Sequence, residues 1–230
     1  MTFGPLPCEP AVEPARPRLR RYQARRDVYA LAGLCLSYPD DDLLARRQAI
    51  LDACRALPSG RPRDELAGFA EWFAGAEPGR LRVAYVQTFD HKRRTALDVT
   101  FARYGDARLR GGALLALRQA YQAAGFAPTR DELPDHLPTV LQFAALAGDD
   151  EADRVLASVR VGIELIARAL ADRRSAYAPV LASVVACLPA ADDSLEAELA
   201  AVVADGPRSE LVGASAPAQC GESVWEGALA

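Results

Sequence analysis

The chain has 230 residues, half of which are apolar, and it carries a formal net charge of −4 at pH 7. This length suffices for one domain with a full apolar core, whereas the acidic balance argues against the basic surface that nucleic-acid binding requires. No segment approaches the run of about 20 apolar residues that a membrane span needs, and the N-terminus lacks the apolar core of a signal peptide. We therefore expect a cytoplasmic protein that neither binds nucleic acid nor inserts into a membrane.

The chain begins with a proline-rich segment, residues 1–19, which we predict to be a flexible arm because it cannot bury enough apolar surface to offset its ordering entropy. In residues 20–188, apolar residues recur at helical spacing, and Gly or Pro separates one run from the next. This pattern predicts an all-α fold, a single globular bundle of about eight helices. The helices are predicted to begin near Tyr22, Asp40, Pro62, Leu81, Gly105, Leu137, Asp149 and Tyr177.

The last segment, residues 189–230, is acidic and rich in Gly, Ala, Ser and Pro. We predict a mostly disordered tail, because such a composition offers little apolar surface to bury. One exception is Ser194–Ala204, where Leu195, Leu199 and two valines recur at helical spacing and predict a short helix.

Catalytic or metal-binding chemistry has few candidate residues in this chain. The two histidines, His91 and His136, have no second histidine or cysteine at i+3 or i+4, which a zinc site would need. The five cysteines form neither a disulfide framework nor a thiolate metal site. No phosphate-binding glycine loop is present and no motif places a nucleophile. We expect no enzyme activity, no catalytic residues, no metal and no cofactor.

Two segments combine aromatic, charged and kink-forming residues where a plain bundle needs only Leu and Ala. The first runs from Tyr85 to Asp90 and is followed by a basic stretch, and the second runs from Asp131 to Pro138. In one interpretation Tyr85 and Phe89 belong to the core and Asp135 caps the next helix. In the other, the two segments border a groove for a helical or extended peptide, with aromatic anchors and charged residues at the rim.

Three motifs resemble those of a known family, the respiratory nitrate reductase assembly chaperones, also called the delta subunit family. They are Tyr85-Val-Gln-Thr-Phe-Asp90, Tyr104-Gly-Asp-Ala-Arg-Leu-Arg-Gly-Gly-Ala-Leu115 and Asp131-Glu-Leu-Pro-Asp-His-Leu-Pro-Thr-Val-Leu-Gln-Phe143. The resemblance covers residues 27–188, in the order and spacing of the family. It implies an all-helical assembly chaperone in the cytoplasm.

The resemblance also implies a partner, the apo form of the nitrate reductase catalytic alpha subunit, which is bound through its N-terminal segment. The chaperone would hold that subunit competent for molybdenum cofactor insertion before it docks at the membrane. Proteins that deliver the molybdenum cofactor are a second class of implied partner. A chaperone of another molybdoenzyme and, more remotely, a small hydrolase that uses Asp135 and His136 are the alternatives.

The residues that match the family motifs are the predicted peptide-binding residues. They are Tyr85, Phe89, Asp90, Asp106, Arg108, Arg110, Pro134, Asp135, His136, Leu137 and Pro138. We expect an amphipathic client helix to lie on a groove lined by Tyr85, Phe89 and Leu137, while charged residues such as Asp135, Arg108 and Arg110 set its orientation. Many members of the family have an aromatic residue in place of His136.

Overall fold

The computed structural model describes residues 17–105, 108–126, 133–190 and 193–205. These residues form α-helices joined by short connections, and they contain no β-strand. In chain order the helices are α1 (Pro17–Cys35), α2 (Asp41–Ala45), α3 (Arg47–Ala56), α4 (Arg61–Gly75), α5 (Pro78–Phe89), α6 (Val99–Tyr104), α7 (Arg108–Ala123), α8 (Leu137–Leu146), α9 (Asp149–Asp172), α10 (Ala178–Cys187) and α11 (Asp193–Asp205).

The all-α prediction is confirmed, with two local differences and one agreement in the tail. Helix α1 begins at Pro17, so the last residues of the expected arm are helical. The second predicted helix is divided into α2 and α3 at Arg46, whose backbone N–H bonds to the carbonyls of Leu43 and Leu44 and tightens the turn. The short helix expected in the tail is present as α11. The rest of the expected arm and tail lies in residues 1–16 and 206–230, outside the described residues.

The core is formed by the inner faces of five helices. Helix α8 packs on α1 and α9, and helix α10 packs on α4, α1 and α9. The buried positions repeat at helical spacing, as in the set Leu66, Phe69, Ala70 and Phe73 of α4. Each fully buried leucine or phenylalanine contributes about 1.5–3 kcal/mol of transfer free energy, so these shared faces supply most of the stability of the fold.

Helix α6 is held between α8 and α9 by backbone contacts. A Cβ built at Gly162 of α9 would overlap the carbonyl oxygen of Val99, so the two helices approach more closely than any larger residue permits. The segment before α6 also pairs with the start of α8, because Leu137 N–H donates to Leu97 O at 2.8 Å and Val99 N–H donates to Asp135 O at 3.1 Å. The position of α6 is therefore fixed at its N-terminal end, by the segment before α8 and by α9.

Helix α7 lies at the periphery and buries few residues. Leu117 and Tyr121 are its buried positions, whereas Leu109 and Leu115 are more than half exposed. The Tyr121 hydroxyl donates to Pro134 O at 2.8 Å, which attaches the C-terminal half of α7 to the segment before α8. None of the described helices has both the length and the apolar character that crossing a membrane requires.

Candidate functional site

Two of the predicted anchor residues, Tyr85 and Phe89, belong to a buried aromatic cluster. The aromatic cluster consists of Phe69, Trp72, Tyr85, Phe89 and Tyr177. Tyr85 is 7% exposed and Phe89 is 4% exposed, and their ring centres lie 4.9 Å apart. The Tyr85 hydroxyl donates to the carbonyl of Leu36 at 3.1 Å, and burial raises the pKa of this phenol above its ordinary value.

The third expected anchor, Leu137, is also fully buried, at the start of α8. Its neighbour Pro138 occupies the first turn of α8, where the missing N–H leaves no helical bond unmade, and is half-buried. Pro134 is buried, and its carbonyl accepts the Tyr121 hydrogen bond. The expectation that Tyr85, Phe89 and Leu137 line an open groove is therefore wrong, because all three fill the core.

Asp135 has a buried carboxylate that joins two helices. Its Oδ2 accepts hydrogen bonds from the Thr100 backbone N–H at 3.3 Å and from the Thr100 hydroxyl. The guanidinium Nη2 of Arg110 lies 3.7 Å from the same oxygen. Asp135 does not cap α8, as one interpretation of the sequence held, because the N-cap residue is His136 and no side chain bonds there. The carboxylate instead caps the first turn of α6 from the side.

A polar network surrounds this carboxylate. It consists of Asp98, Thr100, Arg110, Asp135 and His136. Arg110 Nη2 lies 3.9 Å from Asp98 Oδ2, and His136 Nδ1 lies 3.8 Å from Asp98 Oδ1. Arg110 Nε also donates to the Thr100 hydroxyl at 3.4 Å. The fold thus brings together residues of two separate sequence motifs, at the junction of α6, α7 and α8.

Two of the remaining predicted residues lie on the surface. Arg108 is exposed at the first position of α7, and Asp90 is exposed at the end of α5, where its N–H bonds to Val86 O. Asp106 lies outside the described residues. The roles predicted for these residues in peptide binding stay predictions.

An apolar groove of about 480 Å³ lies between α6, α7 and α9, beside the polar network. We call it the alanine groove, because one wall is a row of alanines spaced three or four residues apart on α7. Its lining residues are Val99, Thr100, Arg103, Tyr104, Ala113, Ala116, Leu117, Ala120, Ala123, Ala124, Glu151, Arg154, Val155, Ser158 and Val159. Thr100 belongs both to this lining and to the polar network, so Asp135 supports a wall of the groove from behind.

The sequence interpretation missed this groove. The signal that could have found the groove is the spacing of Ala113, Ala116, Ala120 and Ala123, which places these residues on one face of α7. Alanine is the commonest helix-forming residue, however, so such a row does not by itself indicate a binding surface.

A second cavity, of about 590 Å³, opens near the start of α1, and it has a more polar lining. An ion pair between Arg25 and Asp153 lies in it, together with backbone of the α3–α4 connection. Within the described part of the chain, no group of three His, Cys, Asp or Glu residues is arranged to hold a metal ion. Because its lining is more apolar, the alanine groove matches an apolar helix better than this second cavity does.

Comparison with known proteins assigns the chain to a family. The model of the nitrate reductase delta subunit family matches residues 56–183. The probable nitrate reductase molybdenum cofactor assembly chaperone NarJ of Bacillus subtilis is 34% identical over 164 residues, which are 71% of this chain and 89% of that protein. The nitrate reductase molybdenum cofactor assembly chaperone NarJ of Escherichia coli is 28% identical over 194 residues, 83% of this chain and 78% of that protein.

A further relative is the nitrate reductase-like protein NarX of Mycobacterium tuberculosis, which is 34% identical over 157 residues, 68% of this chain but 24% of that longer protein. The names of the Bacillus and Escherichia relatives describe assembly chaperones and not catalytic enzymes. The alternative of a small hydrolase therefore has no support among them. On the match of the family model and the identity to the Bacillus relative, the chain belongs to the nitrate reductase delta subunit family of assembly chaperones.

Proposed function

We propose that this protein is a cytoplasmic assembly chaperone that binds the apo form of a nitrate reductase alpha subunit through the N-terminal segment of that subunit. It holds the subunit competent for molybdenum cofactor insertion before membrane docking. The relatives named as nitrate reductase chaperones support the choice of client. The protein makes and breaks no covalent bond in this role, so its function depends on a surface that recognises a polypeptide.

The alanine groove is the observation that carries this proposal. Small side chains on the α7 wall let a helix approach closely. These alanines supply most of the apolar contact surface, because Val155 and Val159 of the opposite wall are each only 4% exposed. A client helix would place residues at i, i+3, i+4 and i+7 in such a groove. The volume of about 480 Å³ is in the range of sites that bury several large side chains.

The motif residues support this groove in two ways under the proposal. Asp135 and Arg110 hold Thr100, and through it the α6 wall, while Tyr85, Phe89 and Leu137 stabilise the core on which α6 and α8 rest. Arg108, which is exposed, and His136, which is partly exposed, contact charged groups of the client outside the groove.

Filling the groove tests the proposal. In Ala120→Leu, a larger apolar side chain enters the groove, and in the matched control Gln119→Leu the same side chain is placed on the adjacent exposed position of α7. Isothermal titration calorimetry measures Kd for a synthetic peptide with the N-terminal sequence of the cognate alpha subunit. We expect Ala120→Leu to weaken binding about tenfold or more, a loss of about 1.4 kcal/mol, and Gln119→Leu to change it less than about twofold.

Two results would contradict this assignment. If the unmodified protein does not bind the peptide, the proposed client or segment is wrong. If it binds but Ala120→Leu and Gln119→Leu have equal affinities, the peptide lies elsewhere on the surface. Thermal unfolding of both variants establishes that the fold is retained.

A further inference from the structure

Helix α11, the last of the described helices, lies on α9 beside the alanine groove. Leu199 is 1% exposed and packs on Val161, which is 3% exposed, with the partly buried Leu165 next to them. This small apolar contact is separate from the main core. Helix α11 is therefore attached to α9 by a contact that can open without disturbing the bundle.

An ion pair joins α11 to the wall of the groove. Arg103 of α6 donates from Nε at 2.7 Å to Glu198 Oε1, and its Nη2 lies 2.6 Å from the same oxygen. The other amino group of Arg103 donates to the carbonyl of Ser158 at 3.2 Å, and the guanidinium carbon lies 4.8 Å from the centre of the Tyr104 ring. Arg103, Tyr104 and Ser158 all line the groove. The edge of the Arg103 guanidinium that can bind a carboxylate is thus occupied by Glu198 of α11.

This ion pair can exchange its carboxylate at low cost. The side chains of Arg103 and Glu198 are 24% and 36% exposed, and partly exposed ion pairs contribute little to stability because water and salt screen them. The Ser158 and Tyr104 contacts keep the guanidinium in place when Glu198 leaves. A carboxylate on a helix bound in the groove can then take the same position.

We propose that Arg103 is a specificity-determining residue of the groove, which binds an acidic side chain of the client helix, and that Glu198 occupies this position in the free chaperone. This inference rests on the proposed function of the groove. The ligand it describes is an amphipathic helix whose apolar face lies on the alanines and whose edge carries a carboxylate. Client binding displaces Glu198 and loosens α11 from α9.

Charge-neutral variants measure this competition in the full-length protein. Two peptides are titrated, one with the alpha subunit N-terminal sequence and one in which Asn and Gln replace its Asp and Glu residues. We expect Glu198→Gln to bind the acidic peptide about threefold or more tightly, because the competing charge is gone. Arg103→Gln should bind it about threefold more weakly and should not distinguish the two peptides.

Two further variants distinguish displacement of Glu198 from a general effect of charge on peptide binding. Leu199→Ser removes the apolar contact of α11 and should tighten binding as Glu198→Gln does, without altering Arg103. Asp172→Asn removes one negative charge from an exposed position at the end of α9, and its Kd should stay within about twofold of the unmodified value. Amide hydrogen exchange in α11 should become faster when the acidic peptide binds.

The inference is overturned if Glu198→Gln does not tighten binding, or if the unmodified protein binds both peptides equally. Slower exchange in α11 on peptide binding would also overturn it, since α11 would then be part of the client site. In these cases the peptide still binds and the proposed function stands. Failure of the unmodified protein to bind either peptide overturns the proposed function together with this inference.

Discussion

The aromatic cluster and the alanine groove differ in how they are built and in what they can do. The cluster is made of large rings with centres about 5–6 Å apart, as in the pairs of Tyr177 with Phe69 at 5.1 Å and with Trp72 at 5.9 Å. The groove lies between three helices, whose lining residues leave a volume of about 480 Å³ unfilled. The large residues thus supply stability, and the small ones leave room for a partner.

This difference changes the meaning of the recognised motifs. Aromatic residues in the first motif suggest anchors for a peptide, yet Tyr85 and Phe89 are themselves covered by other rings. Asp135 suggests a charged rim but lies inside the protein, where it holds Thr100 at the groove wall. Asp135 and the two aromatic residues of the first motif therefore lie inside the protein, and under the proposed function they support the groove and do not line it.

The largest effect is expected at Tyr85. Tyr85→Ala should lower the free energy of unfolding by about 4 kcal/mol, because it removes a buried ring and leaves a cavity. Denaturant titration measures the loss. The control Tyr38→Ala removes a ring that packs edge-on against Tyr85 but is 47% exposed, and it should cost less than about 1.5 kcal/mol. If Tyr85→Ala kept full stability and lost only peptide binding, the ring would belong to the binding surface.

A somewhat smaller effect is expected where α6 meets α9. Gly162→Ala should destabilise the protein by about 3 kcal/mol, since the added Cβ overlaps the backbone of Val99, which cannot rotate away. In the control Gly68→Ala, the new Cβ in α4 has no neighbour within 4 Å, so a gain of about 0.5–1 kcal/mol is expected. Thermal unfolding of both variants measures this difference in stability. Equal melting temperatures would mean that α6 does not lie this close to α9.

Asp135 should show an intermediate effect. Asp135→Asn keeps the shape of the side chain but removes the charge that Thr100 and Arg110 contact, and it should cost about 2 kcal/mol. Asp90→Asn makes the same change at an exposed helix end and should cost less than about 0.5 kcal/mol. Chemical unfolding of the pair measures the difference. An unchanged stability in Asp135→Asn would mean that the charge of this carboxylate does not help to hold α6.

The smallest effect is expected on the outer face of α7. Leu115→Ala changes a side chain that is 57% exposed and should alter stability by less than about 0.5 kcal/mol. Leu117→Ala, two positions along the same helix, removes a residue that is 4% exposed and lines the groove, and should cost about 2 kcal/mol or more. Reversal of this order in denaturant titrations would mean that α7 is rotated about its axis.

The helices could be predicted from the sequence because their signals are local. Pro62, Pro78 and Pro138 occupy first turns, and Gly125 follows the end of α7 with a positive φ of 81° that favours glycine. The break at Arg46 could not be predicted, because an i to i+3 bond closes it and no special residue marks the position.

The site could be predicted only in part, because its contacts join residues that are distant in the chain. Asp135 and Thr100 are 35 residues apart, and nothing near Asp135 distinguishes a carboxylate that bonds to another helix from one that caps its own. The alanine groove depends on how α6, α7 and α9 are placed, whereas its alanines individually indicate only a helix. Three motif residues that were predicted to line a groove, Tyr85, Phe89 and Leu137, are instead buried in the core.

Helix α9 has a consequence for how the protein unfolds. Its 24 residues span about 36 Å, and it contacts α8 and α10 of the core, α6 and α7 of the groove, and α11. A helix shared by all these parts cannot melt in one of them and persist in the others, so the bundle should denature in a single cooperative transition. Occupancy of the groove by a client would then raise the melting temperature of the whole domain.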